Sequence, residues 1–401
     1  MNPTPSKRLN TVPASPIRVL VPLANAAKAR GTRVYHLNIG DPDIQTPKEM
    51  LSVLTNWKQN PIGYGQSQGD KSLLEAFAAY YKKLGYGFIG TENIQVTVGG
   101  SEAIAMALFA VCDPGDDILV FEPFYANYAS YAAVYGINCI PVTTSIANGF
   151  HLPSRKEIER HITKKTKAIL LCTPNNPTGT VYTQDELEML GDIASAHNIF
   201  LISDEVYREF VYEGGKPASI LSLMERMPRQ CILVDSLSKR YSACGIRIGC
   251  LVTLHDELLS GVLRIAQGRL SAGLVDQAIA AVMGDVPVSY TEDVRREYQK
   301  RRDVLYAGLR TIPGVTATLP EGAFYIIAKL PVSDSGDFCR FLLTDFSDKK
   351  ETVMLAPASG FYKTPGAGKQ EVRIAYVLDS TKLIRAVELL KKALVEYNKS
   401  H

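Results

Sequence analysis

Between residues 94 and 253 the chain repeats one pattern. A short, unbroken apolar run ends in small or polar residues and gives way to a longer stretch of mixed character. The runs are IQVTV from Ile94, DILVF from Asp117, KAILLCT from Lys167, IFLIS from Ile199, CILVDS from Cys231 and IGCLVT from Ile248. Hydrophobicity that is continuous rather than alternating predicts strands covered on both faces. Between the runs, SEAIAMALFAV (Ser101 to Val111) and TQDELEMLGDIASAHN (Thr183 to Asn198) predict helices. The second opens with Thr183 three residues before Glu186, the spacing of a capping box. Alternating strand and helix imply an α/β domain built on a mostly parallel, doubly wound sheet.

The pattern changes near residue 290. Tyr290 to Leu309 reads as one long charged helix, followed by PGVTATLPEGAFYIIAKL, a helix near Asp337 to Asp345, the strand EVRIAYVL and a last helix from Ser380 to Tyr397. That order predicts a second, smaller α+β domain. The expected division is 1–45 as an N-terminal arm and part of the small domain, 46–290 as the large domain and 291–401 as the small C-terminal domain. The Pro-rich first twenty residues read as an arm of the kind that crosses to another subunit.

Composition narrows the function. With 46% hydrophobic and 21% charged residues in 401, the chain can bury a large core and is not disordered. Its 44 Lys and Arg against 41 Asp and Glu leave +3, dispersed along the chain, which argues against nucleic acid as the main partner. The opening MNPTPSK has no apolar signal region and no run approaches eighteen apolar residues, so a cytoplasmic protein without a membrane span is expected. The seven cysteines form no C-x-x-C pair, so reduced thiols are expected, with neither a disulfide framework nor a metal site. The six histidines fall at no catalytic spacing and read as surface or capping residues.

Ligands of doubly wound sheets gather at the carboxyl ends of the strands, which directs attention to the residues after each run. Gly99-Gly100-Ser101-Glu102 follows VTV and opens a helix, where backbone N–H groups can hold a phosphate. KAILLCT is followed by Pro174-Asn175-Asn176-Pro177-Thr178-Gly179, and IFLIS ends in Ser203-Asp204-Glu205-Val206-Tyr207. CILVDS runs into Leu237-Ser238-Lys239 and then Cys244-Gly245-Ile246-Arg247. A lysine ending a buried strand is costly unless paired or used chemically. Phosphate cradle, amine, arginine and strand-end carboxylate together match the needs of pyridoxal 5′-phosphate.

SLSKRYSACGIRIG around Lys239, PNNPTG and SDEVY resemble the class I aminotransferases of the fold type I pyridoxal-phosphate enzymes. The likeness continues through VYHLNIGDPDIQTP, GYGQSQG, VTVGGSEA, FEPFY and EVRIAYVL, and is nearest to bacterial aspartate-aminotransferase-like proteins. The resemblance implies that Lys239 forms the Schiff base and moves the α-proton. It implies that Asp204 pairs with the ring nitrogen, Tyr207 and Asn176 with the phenolic oxygen, and that Tyr125 stacks on the ring. Gly100, Ser101, Glu102 (through its backbone), Ser236, Ser238 and Arg247 would hold the phosphate, with Tyr64 reaching in from the other subunit of a homodimer. Arg373, helped by the Gly40 backbone and Asn176, would clamp the substrate α-carboxylate. An arginine in the apolar setting of EVRIAYVL is costly if idle, which supports that role independently.

The same resemblance leaves the reaction open. Amino-group transfer from an L-amino acid to a 2-oxo acid is the favoured expectation. Elimination, replacement or cyclisation, S-adenosylmethionine included, is the alternative, and a non-catalytic protein on this scaffold is disfavoured by the presence of Lys239. The substrate is expected not to be simply aspartate. Ser101 stands where some relatives carry lysine, Asp41 and Ser359 depart from the subgroup, and Ser271-Ala272-Gly273-Leu274 lacks its usual proline. Arg269 is the candidate cation for an acidic side chain.

Overall fold

The apolar runs become neighbours in one sheet in the computed structural model, which describes residues 3–400. In chain order the strands are β1 (Arg33–His36), β2 (Ile94–Val98), β3 (Asp117–Glu122), β4 (Asn138–Thr143), β5 (Thr166–Cys172), β6 (Phe200–Asp204), β7 (Cys231–Ser236), β8 (Ile248–Val252), β9 (Thr316–Ala317), β10 (Tyr325–Lys329), β11 (Glu351–Met354), β12 (Ala356–Pro357) and β13 (Glu371–Ala375). The large sheet has seven strands in the order β2-β8-β7-β6-β5-β3-β4. Every residue of β3, β7 and β8 is buried, which is why their sequences do not alternate.

Strands β3 to β7 pair parallel, whereas β8 runs antiparallel to both β7 and β2. The sheet is therefore mixed. The reversal brings the start of β8 to the edge where β2, β5, β6 and β7 end, so residues before one strand meet residues after the others. The edge strand β4 was not apparent in the sequence: it holds Pro141, and only Cys139 and Val142 of its six residues are buried, as suits a strand with one free side. The helix Gln184–His197 carries the expected capping box between Thr183 and Glu186 and ends on Asn198 in the left-handed region.

A second sheet, β12-β13-β10-β9, is antiparallel, and β1 pairs parallel with β11, joining the early chain to the late one. Helices Val288–Leu309, Ser335–Thr344 and Ser380–Ser400 pack around these strands. One apolar cluster runs from Ile202 and Val234 of the large sheet through Phe324 to Val372 and Leu390, so the two sheets share a core.

Within the first twenty residues, the segment around Ile17 packs against its own chain. The Asn38 side-chain amide donates to the Ile17 carbonyl at 2.8 Å. Ile17 is buried with Phe361, Ala356 and Ala358, and Pro16 abuts Gly360 so closely that a β-carbon there would come within 2.3 Å of its ring.

Candidate active site

A cavity of about 420 Å³ opens at the shared strand edge. Gly40, Gly100, Ser101, Tyr125, Asn176, Asp204, Tyr207, Ser236, Ser238, Lys239, Arg247 and Arg373 all line it; Glu102 and Tyr64 do not.

One end of the cavity suits a phosphate. Gly99 has φ 72°, and a β-carbon on it would lie 2.5 Å from an Arg247 Nη, so only glycine lets the guanidinium rest there. Gly249 is equally constrained, its β-carbon position lying 2.6 Å from the Gly99 carbonyl carbon. The thirteen-residue helix Gly99–Val111 points its free first-turn N–H groups at this space. Ser236 Oγ lies 2.9 Å from Ser238 Oγ beside it. Positive backbone ends, two hydroxyls and an arginine converge here.

Asp204 closes β6 at the middle of the cavity. Burial pushes its carboxyl up to about 6, opposed by the Tyr128 hydroxyl and the Val206 amide, which donate to it at 2.7 and 3.4 Å. A buried carboxylate facing a cavity favours a cation or a protonated ring nitrogen as its partner. Tyr125 stands edge-on to Tyr128 with ring centroids 5.5 Å apart, and its hydroxyl accepts from Asn127 Nδ2 at 2.8 Å.

Lys239 follows β7 in the short helix Leu237–Arg240. Its Nζ donates to the Gly40 carbonyl at 2.7 Å and lies 3.5 Å from Cys244 Sγ. Its neighbour Arg240 turns the other way, into the protein. There it donates to both Asp235 carboxylate oxygens at 2.9 and 2.8 Å and to Glu209 at 2.6 Å. Arg208 joins the same network through Glu205 at 2.7 Å and Asp235 at 3.3 Å. The network thus includes the residue after Asp204, the one before Ser236 and the one after Lys239.

Arg373 is 1% exposed and lies over the rings of Tyr325 and Phe361, 4.5 and 4.9 Å from their centroids. It donates to Asn176 Oδ1 at 3.0 Å and to the Asn38 carbonyl, while its buried Nε has no partner among the described residues. A buried arginine at a cavity wall suits a carboxylate as its ligand. Tyr325 was not singled out from the sequence, yet its hydroxyl lies 2.9 Å from that of Tyr207. A β-carbon on Gly40 would collide with the Tyr325 hydroxyl. Nothing distinguishes Tyr325, Tyr128 or Asn38 in the sequence alone; only their approach to expected site residues does.

Arg269 lies outside the cavity of its own chain. Its guanidinium lies 3.1 Å from the Glu102 carboxylate and donates to the Val96 carbonyl at 3.0 Å. Glu102 is thereby occupied as well, its other oxygen accepting from the Val98 amide at 2.6 Å. Tyr64 is 83% exposed and lies outside the cavity of its own chain. Among the described residues no helix is long and apolar enough to cross a membrane.

Comparison with known proteins agrees with this geometry. The family model for aminotransferase class I and II matches residues 32–390. Aromatic-amino-acid aminotransferase 2 of Thermococcus litoralis is 31% identical over 400 residues, covering 98% of each chain. An aspartate aminotransferase of Bacillus subtilis is 28% identical across 98% of this chain and 99% of its own. The solved structure of an alanine aminotransferase from Pyrococcus furiosus superposes with a TM-score of 0.89 at 31% identity, over 98% of this chain and 100% of the other. Match, coverage and strand-edge site agree along the whole length, and the chain belongs to the class I and II aminotransferases.

Proposed function

We propose that this aminotransferase binds pyridoxal 5′-phosphate through Lys239 and moves an amino group from an L-amino acid to a 2-oxo acid. The family depends on that cofactor. The observation that carries the reading is the convergence of Lys239, Asp204, Arg247 and Arg373 on one cavity. When bound, the cofactor supplies an aldehyde for the amino group and a ring that delocalises the electrons left at the substrate Cα.

The chain's own residues do the rest. Arg247, Ser236, Ser238 and the backbone of Gly100, Ser101 and Glu102 hold the phosphate. Asp204 keeps the proton on the ring nitrogen, and Tyr207 and Asn176 hydrogen-bond the phenolic oxygen. Tyr125 covers the ring face. Arg373, with Asn176 and the Gly40 backbone, binds the α-carboxylate and so fixes which bond at Cα faces Lys239. The Lys239 amine then takes the proton from Cα.

The reading includes a homodimer with shared sites. Ile62 and Tyr64 are exposed, as is Leu270, and the two segments are tied by a Gly65 amide to Ser271 Oγ hydrogen bond of 3.2 Å. An exposed apolar surface of that kind supports an interface, from which Tyr64 reaches the partner's phosphate. It also includes the division into 46–290 as the cofactor domain, with 1–45 and 291–401 forming the small domain.

Mixing the purified holoenzyme with single amino acids tests the reaction. Release of the matching 2-oxo acid, without ammonia, is the expected result; ammonia or a lost sulfur group would overturn it in favour of elimination. Lys239→Ala is expected to lower turnover at least about a thousandfold, measured in single-turnover assays. Tyr64→Ala is expected to raise the cofactor concentration for half-saturation about tenfold, the size of one charge-assisted hydrogen bond.

A further inference from the structure

The cavity has one cation that no part of the proposed chemistry employs. Arg18 lines it together with Arg247, Lys239 and Arg373. The last three answer to the phosphate, the aldehyde and the α-carboxylate. The Arg18 guanidinium has no hydrogen bond or ion pair among the described residues.

Its position is held by its neighbours rather than by its own contacts. Ile17 and Leu20 are buried on either side, while Arg18 and Val19 between them are exposed. Backbone bonds from the Arg18 and Val19 amides to the Ser15 carbonyl, 3.2 and 3.0 Å, close the turn. This strap hangs on Asn38, whose side chain donates to the Ile17 carbonyl at 2.8 Å and whose own carbonyl accepts from Arg373. Ile17 and Arg373 also share Phe361, which packs against the first and lies under the second. The strap that carries Arg18 and the clamp for the α-carboxylate are therefore both anchored on Asn38 and Phe361.

We infer that Arg18 is the specificity-determining residue for a second carboxylate, and that the site takes dicarboxylic amino acids and the corresponding 2-oxo diacids. The inference deepens the aminotransferase reading and rests on it. An arginine fork in a half-enclosed cavity binds a carboxylate bidentately and excludes the neutral homologue by the loss of charge-assisted bonds. It places the acid-recognising group on the same chain as Lys239, at the N-terminal strap. The rival is Asp41, an exposed carboxylate that also lines the cavity and would select a cationic side chain.

The test uses holoenzyme and two ligands without an amino group, glutarate and butyrate, titrated by calorimetry. Arg18→Gln is expected to weaken glutarate about 10- to 100-fold and to leave butyrate within about twofold, as the loss of one charged pair predicts. Arg18→Lys is expected to keep part of the glutarate affinity. In turnover, the KM of L-glutamate is expected to rise in Arg18→Gln while that of L-norvaline and both kcat values hold. Equal losses for glutarate and butyrate would reduce Arg18 to a structural part of the strap and overturn the inference. So would unchanged glutarate binding, or a preference for L-ornithine over L-glutamate that Asp41→Asn removes. Neither titration ligand can be transaminated, so a failure of the aminotransferase reading shows separately, as absence of 2-oxo acid from every amino acid offered to the wild type.

Discussion

Asp204 illustrates how a site residue burdens the fold that carries it. It is buried, and its carboxyl is raised from an ordinary 3.8 to about 6 chiefly by that burial. Between those values the folded chain holds a proton that the unfolded chain has lost, so stability without cofactor falls as pH rises from about 4 to 6, by on the order of 3 kcal/mol. Asp204→Asn removes the buried charge and keeps an acceptor for Tyr128. It is therefore expected to raise the Tm of the cofactor-free protein at pH 8, read by calorimetry, while lowering turnover by roughly a hundredfold or more. A variant less stable than wild type at pH 8 would contradict this account.

At the scale of elements, the strands most legible in the sequence are those buried on both faces. Each run from Ile94 to Val252 lies in the large sheet because a fully covered strand has no polar side to disguise it. The strand missed, Asn138–Thr143, lies at an edge, and its Pro141 would have argued against a central position. The site was legible where residues abut a motif: Lys239, Asp204, Asn176 and Arg247 all follow or precede a run. Tyr128, Tyr325 and Asn38 were not, since each reaches the cavity through tertiary packing that leaves no local mark.

The strand ends also depend on charges hidden behind them. Arg240 is 1% exposed and satisfies Asp235, which is wholly buried. Arg240→Leu leaves that carboxylate with only the longer Arg208 contact of 3.3 Å as its ion pair and is expected to cost about 3 kcal/mol, measured by urea unfolding. Loss of cofactor affinity should accompany it, because Asp235 and Arg240 directly adjoin Ser236 and Lys239.

Across the whole molecule, His151 joins the two sheets. Its Nδ1 lies 3.0 Å from Glu186, at the start of a helix against the large sheet, and its Nε2 3.4 Å from Glu321, in the loop leading to β10. Those two carboxylates push its pKa up to about 10. A raised histidine contributes stability that is complete below pH 6.5 and is lost as pH rises through 10. Wild-type Tm is thus expected to fall more steeply than that of His151→Gln between pH 7 and 10. Solvent exposure of His151 and Glu321 keeps the difference small.

The antiparallel return of β8 acts as a ruler. Lys239 and Arg247 lie near the two ends of the connection between β7 and β8, so the distance from the amine to the proposed phosphate grip is set by the length of one loop and by Gly99 and Gly249, which allow no slack. Inserting a single residue between Tyr241 and Cys244 should therefore uncouple the two grips and abolish cofactor retention in a protein that still folds. The same insertion in the exposed stretch around Gly366 should pass unnoticed.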